Sequence, residues 1–458
     1  ARNRRLDPYR GVRVGEAAHH HDVSSQERKM MEIYEMSLGE LDRGLRAGAF
    51  SLNEVFESLV NRIEAREKIT QAFIELDIDR VRSQINQINP QDRATGISGI
   101  PFGVKDIFNT KDWVTSYGSS IFEGYQPSCD AAVVAQLRSA GGVVMGKTVT
   151  TEFAYFFPGK TRNPHNPDHT PGGSSQGSAA AVADFMVPFA IGSQTAASVI
   201  RPAAFCGVIG YKASAGQFPL NGALTLSYSM DSLGFFVRSV EDLQLLRNVL
   251  LGAPPKETAL KPRKIGLVRT PFWGELESES QSLIEAAGRD LIESGIELIE
   301  VDVDEQAGVN LVDAHQTLMA FEVSRSRGAE YENHREQLSD QFTQLVEAGR
   351  QVSYQAYEEA LKQRDSANKR LRTEFADCDL FLTASAPGEA PKGLSSTGDP
   401  KFSRAWNLIG GPSVTLPAGK GRTALPLGVQ LVGHLNKDDD LIARAGWIQR
   451  NIQLGSSD

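Results

Sequence analysis

Residues 172–201 read GGSSQGSAAAVADFMVPFAIGSQTAASVIR. A Gly/Ser turn opens the stretch, "SSQGSAAAVADF" predicts a helix of small residues, and "MVPFAIGS" predicts an apolar strand. A second turn of small and hydroxylated side chains follows and closes on Arg201. Roughly eleven helical residues run out about 16 Å, and some six strand residues return about 20 Å. Ser174 and Ser198, 24 residues apart, are therefore brought back to one end of a helix–strand unit. Ser193, Thr195 and Ser198 all offer a hydroxyl for nucleophilic attack, yet the nearest histidines in the sequence are His165 and His169.

The same alternation extends on both sides. "IPFGVKDIF" from 100 predicts a strand, "DAAVVAQLRSAG" a helix ending in glycine, and "GVVMGKT" a further strand. "RKIGLVRT", a helix over 278–293 and "IELIEVDV" form another strand–helix–strand unit, and "DLFLTASAP", "GPSVTLPAG" and "LPLGVQLVG" predict closing strands. This is the pattern of an α/β fold, a large, mixed, mainly parallel twisted sheet covered by helices on both faces. Upstream, Ser37 with Glu40 suggests a capping box, and Ser51 opens a second helix with apolar residues at 55, 56, 59, 60 and 63. Residues 310–376 are polar and amphipathic and are expected to form a helical cap. Residues 1–28, with a triple histidine at 19–21, are expected to be a poorly ordered, solvated arm, and 29–458 a single domain.

Composition narrows the function classes. Of 458 residues, 40% are hydrophobic and 23% charged, with a net charge of −9. A mildly acidic chain gives no electrostatic reason to expect nucleic acid or an anionic membrane as partner. Cys129, Cys206 and Cys378 are too few and scattered for a disulfide framework or a zinc site and fit a reducing, cytoplasmic setting. Cys206 reads as a small buried hydrophobe. No apolar run approaches the roughly 20 residues of a membrane span.

Several readings compete for the chemistry. Gly173-Ser174-Ser175-Gln176-Gly177 satisfies G-x-S-x-G, which would make Ser175 an α/β-hydrolase nucleophile with His434 as its late histidine. That elbow needs a strand directly before the serine, and "RNPHNPDHTPG" brings three prolines instead. A phosphate loop is disfavoured because the P-loop lysine and G-x-G-x-x-G spacing are both missing. Lys105, out of character in its apolar strand, offers a base that needs no histidine, since desolvation favours neutral lysine. Its bland alternative is an ion pair with Asp106.

Together, "GIPFGVKD", "GGSSQG" and "GSQTAAS" resemble the signature motifs of the amidase signature family, including the 24-residue spacing of the two serines. "GKTVTTEFAY", "TRNPHNP", "RPAAFCGVIGYKAS", "DSLGFFVRSVEDL" and "LPLGVQLVG" extend the likeness from about residue 37 to the C-terminus. The resemblance implies an amidohydrolase with a Ser–Ser–Lys triad: Ser198 the nucleophile, Ser174 the relay behind a cis peptide bond, and Lys105 the base. It implies an acyl-enzyme, an oxyanion hole from backbone N–H groups of Thr195, Ala196, Ala197 and Ser198, and no metal or organic cofactor.

Gln194 stands where many relatives carry Asp, and Ala196-Ala197 where they carry two glycines. With "SVIRPA", Gln194 is similar to a malonamidase-like subgroup whose arginine binds a substrate carboxylate; Arg201 would do so here, or else brace the loop. Gln194, Tyr117, Phe156, Phe157 and Trp406 are further substrate-cleft candidates, with core packing as the alternative. The expected partner is a small-molecule amide, or a carbamate or urea-type substrate; homodimerisation stays open. The other classes considered are a non-catalytic scaffold and an amidotransferase subunit.

Overall fold

The structure, a computed structural model, describes residues 32–89, 91, 93–253, 259–303 and 310–452. The arm expected over 1–28 and its histidines lie outside the described residues.

Eleven strands form one sheet: β1 (Phe73–Leu76), β2 (Pro101–Lys105), β3 (Val143–Thr148), β4 (Ala190–Gln194), β5 (Ile209–Lys212), β6 (Ser232–Val237), β7 (Lys264–Val268), β8 (Glu297–Val301), β9 (Leu380–Ala384), β10 (Ser413–Lys420) and β11 (Pro426–Val432). Their spatial order is β1-β3-β2-β4-β6-β5-β10-β11-β9-β7-β8. The expected mixed α/β sheet is present, but its parallel share is smaller than the sequence suggested. Four neighbouring pairs are parallel, β2–β3, β2–β4, β7–β8 and β7–β9. The other six are antiparallel. The parallel pairs at either flank are the units read from helix–strand alternation. The antiparallel centre comes from β5 and β6, joined without an intervening helix, and from the β10–β11 hairpin, whose five-residue connection is too short for a parallel crossover.

β2, β3, β4, β5 and β6 are buried along their whole length, which explains their near-continuous runs of apolar and small residues. Small residues let the layers approach. A Cβ on Gly177, in the first turn of α5 (Gln176–Ala183), would lie 2.0 Å from the carbonyl oxygen of Ala72. The capping boxes read at Ser37 and Ser51 both form, opening α1 (Leu38–Ala47) and α2 (Leu52–Thr70). The expected cap over 310–376 is helical: α9 (Leu311–Ser326), α10 (Gly328–His334), α11 (Asp340–Gln351) and α12 (Tyr354–Thr373). α9 packs against α11, α12 and α13 (Lys401–Ile409). It buries Leu311, His315, Leu318, Met319 and Glu322. No described helix is long and apolar enough to cross a membrane.

Candidate active site

Three segments meet at one cleft. Lys105 ends β2, Ser174 stands in the turn before α5, and the loop after β4 carries Thr195 to Ser198 into α6 (Ile200–Cys206). Ser174, Thr195, Ala196, Ala197, Ser198 and Arg201 line that cleft together with Phe156. The Gly173–Ser174 peptide bond is cis.

Lys105 is fully buried. Its Nζ donates to Ser174 Oγ at 2.7 Å and to Ser193 Oγ at 2.9 Å. The ion pair with Asp106 that the sequence left open does not form; Asp106 holds Lys147 instead, at 2.9 Å. Burial pushes the Lys105 ammonium down to about 7, opposed by the negative charge of Asp231. The Ser193 hydroxyl is thus engaged by the lysine, whereas Ser198 borders the cleft. Among the described residues no hydrogen bond joins Ser198 Oγ to Ser174. Catalytic contacts of this kind commonly tighten only when substrate binds.

The loop carrying Ser198 is fixed from several sides. Gln194 Oε1 accepts from the N–H groups of Val199 at 2.9 Å and Ile200 at 3.0 Å, satisfying donors at the start of α6. It is buried and absent from the cleft lining, so the structure places it as a clamp on the loop instead of a substrate contact. Thr195 Oγ1 donates to Asp231 at 2.5 Å, and Asp231 also accepts from Leu226 and Ser227 N–H. Burial pushes the Asp231 carboxyl up to about 6, against those hydrogen bonds. Neither Ala196 nor Ala197 takes a positive φ, so the loop accommodates alanine without left-handed backbone. By contrast Phe153 and Ala154 do, at φ 46° and 61°, and Ala154 borders the cleft.

Arg201 is buried and, among the described residues, has no carboxylate partner within salt-bridge distance. Its Nη2 donates to the Gly173 carbonyl at 2.7 Å and to Thr397 Oγ1 at 3.0 Å. Its Nε and Nη1 have no partner among the described residues. Burial pulls the guanidinium down to about 9, partly offset by Asp399. Both halves of the sequence reading therefore have support: one nitrogen braces the turn before Ser174, and two further nitrogens of this cleft-lining residue have no partner among the described residues.

Other candidates lie elsewhere. Tyr117 is buried outside the cleft lining, its hydroxyl donating to Asn109 at 2.6 Å. Trp406 is a core residue stacked on Phe381, 5.7 Å between ring centres, because α13 turns that face toward β9. Phe157 is exposed beside Phe156. The elbow reading fails in three dimensions. Ser175 is fully buried with its hydroxyl on the Ser193 carbonyl, and His434 Nε2 donates to the Cys378 carbonyl at 2.9 Å. Cys206 is buried as expected, and burial pushes its thiol far up. Sequence reasoning missed Ser193 as a lysine partner, and also Asp231, His315 and Asn407. Asn407 carried a signal, as a polar residue between Trp406 and Leu408 in "AWNLI", whereas His315 stands among Asp313, Gln316 and Thr317 and carried none. Among the described residues no group of three or more metal-ligating side chains occurs.

A sequence profile described as Amidase matches residues 54–442. The chain is 31% identical to a glutamyl-tRNA(Gln) amidotransferase subunit of Carboxydothermus hydrogenoformans, over 93% of this chain and 99% of the relative. A solved structure described as an amidase superposes with a TM-score of 0.83 at 27% identity, covering 91% of this chain and 99% of the other. The native peptide amidase of Stenotrophomonas maltophilia gives 0.76 at 26% identity, covering 91% and 97%.

Proposed function

The chain belongs to the amidase family and acts on carboxamide C–N bonds, and we propose that Ser198, Ser174 and Lys105 carry out the hydrolysis through an acyl-enzyme. Ser198 Oγ attacks the carbonyl carbon. Its proton passes to Ser174 Oγ as the Ser174 proton moves to the lone pair of neutral Lys105. The tetrahedral oxyanion is held by N–H groups of the Thr195–Ser198 loop, each such donor contributing about 3–4 kcal/mol. Collapse breaks the C–N bond and the relay returns a proton to the leaving nitrogen. Water then attacks the Ser198 ester along the same path.

The observation that carries this reading is Lys105 itself. It is a fully buried lysine with no acidic partner in contact among the described residues, and its nitrogen lies 2.7 Å from a serine hydroxyl on the Ser198 cleft. Once neutral, the amine keeps a donor for Ser193 and turns its lone pair to Ser174, so the 2.7 Å contact reverses direction without moving atoms. The unspent donors of Arg201 support a substrate with an anionic or carbonyl group next to the scissile amide.

The curated relatives named as amidotransferase subunits favour a second reading, in which this chain releases ammonia from glutamine for a partner subunit. A screen of small amides, carbamates, ureas and glutamine separates the two. The hydrolase reading expects turnover of simple amides by the isolated chain, lost in Ser198→Ala. A fluorophosphonate probe should label Ser198. Full activity in Ser198→Ala, or labelling at Ser175, would overturn the triad; turnover of glutamine alone would favour the subunit reading.

A further inference from the structure

Two side chains, one from the helical cap and one from α13 packed beside it, converge on a single oxygen of the nucleophile loop. His315, on α9, donates from Nε2 to the Thr195 carbonyl at 2.8 Å. Asn407, on α13, donates to the same oxygen through Nδ2, which also reaches the Met230 carbonyl at 3.2 Å. Both are essentially fully buried, and neither lines the cleft. The Thr195 carbonyl therefore points away from the cleft, into the cap.

Peptide geometry does the rest. The Gly173–Ser174 bond is the one cis peptide among the described residues, so the Thr195–Ala196 peptide is trans. In a trans peptide the carbonyl and the following N–H point in opposite directions. A carbonyl held into the cap thus turns the Ala196 N–H toward the cleft, on the side where Ser198 lies. The His315 ring is fixed for the task. A carbonyl can only accept, so Nε2 carries the hydrogen; Nδ1 faces Arg404 Nη1, which can only donate, at 3.5 Å. Burial, with Arg404 nearby, pushes the imidazole down to about 3, so the ring stays neutral.

We propose that His315 and Asn407 are positioning residues for the oxyanion hole, setting the Ala196 N–H through the Thr195 carbonyl they share. This couples the cap, which borders the substrate side through Met319 of α9, to the orientation of the catalytic donor. The proposal rests on Ser198 being the nucleophile.

The test uses the full chain with His315→Leu, His315→Gln and Asn407→Asp. The substrate is the amide turned over best in the screen, and the inhibitor is the aldehyde bearing the same acyl group, which forms an oxyanion on the serine. Direct loss of one oxyanion donor costs about 10²–10³ in kcat, so loss of an aiming bond is expected to cost roughly 10- to 100-fold with KM within about twofold. Aldehyde affinity should fall by a similar factor. Gln, whose Nε2 can donate at similar reach, should recover most of the loss, and Asn407→Asp should mimic His315→Leu without changing side-chain volume. Unchanged kcat, equal loss in His315→Gln and His315→Leu, or a loss confined to KM would overturn the proposal. Failure of the parent reading looks different: Ser198→Ala retains activity or the fluorophosphonate maps elsewhere.

Discussion

The ionisation of Lys105 makes the sharpest demand on this site. Burial brings Lys105 from the ordinary lysine value of 10.5 down to about 7. At pH 7 that raises the neutral fraction from about one in 3,000 to about one half, roughly three orders of magnitude more base, at a cost of about 5 kcal/mol of disfavoured ammonium. kcat/KM, which reports the free enzyme, should therefore fall tenfold per pH unit below about 7 and reach about 1% of its plateau near pH 5. The stability of the fold should follow the same group. The folded value lies below the unfolded one, so between about 7 and 10.5 the unfolded chain binds more protons, and stability rises by about 1.4 kcal/mol per unit. Below about 7 both states carry the proton and the full cost is present. Lys105→Met should consequently be inactive, yet more stable than the parent chain at pH 6, with the advantage shrinking by pH 9 in urea titrations. A kcat/KM profile flat to pH 5, a midpoint near 10, or a Lys105→Met variant that loses stability at pH 6 would refute the neutral-lysine base.

The negative charge of Asp231 holds the Lys105 value up; Asp231→Asn should move the acid limb of kcat/KM to lower pH, and a limb that stays put would remove Asp231 from the tuning. Trp406→Ala should cost about 3–5 kcal/mol in urea unfolding, as expected for an emptied aromatic core site, while the surviving folded enzyme keeps its KM; a KM rise without loss of stability would return Trp406 to the cleft. His434→Ala should leave kcat and KM unchanged, because its ring bonds the Cys378 carbonyl and lies outside the cleft lining.

The segments of the proposed triad were readable because each carries a local anomaly: a lysine in an apolar strand, and two turns of small residues separated by one helix–strand excursion. The flanking units of the sheet were readable from alternating helix and strand periodicity. β5 and β6 escaped because "IGYK" and "SLGFFV" are short, fully buried runs with no two-residue alternation and no helix between them. Tyr117 and Trp406 showed the limit of placing residues by neighbourhood. Each belongs to a segment near the cleft, and each points to Asn109 or Phe381 instead.

Sequence alone brought two serines together through one helix–strand excursion, and the likeness to the amidase signature motifs added Lys105 as their expected base. Tertiary structure decided what that chemistry rests on. It gave Asp106 to Lys147, leaving Lys105 without an acid in contact. It also delivered Asp231, His315 and Asn407 to Thr195 in the loop before Ser198, from 36 to 212 residues away. The physical reason is that burial and hydrogen-bond direction belong to the assembled neighbourhood of a residue, and no local pattern encodes which distant donor will fill it.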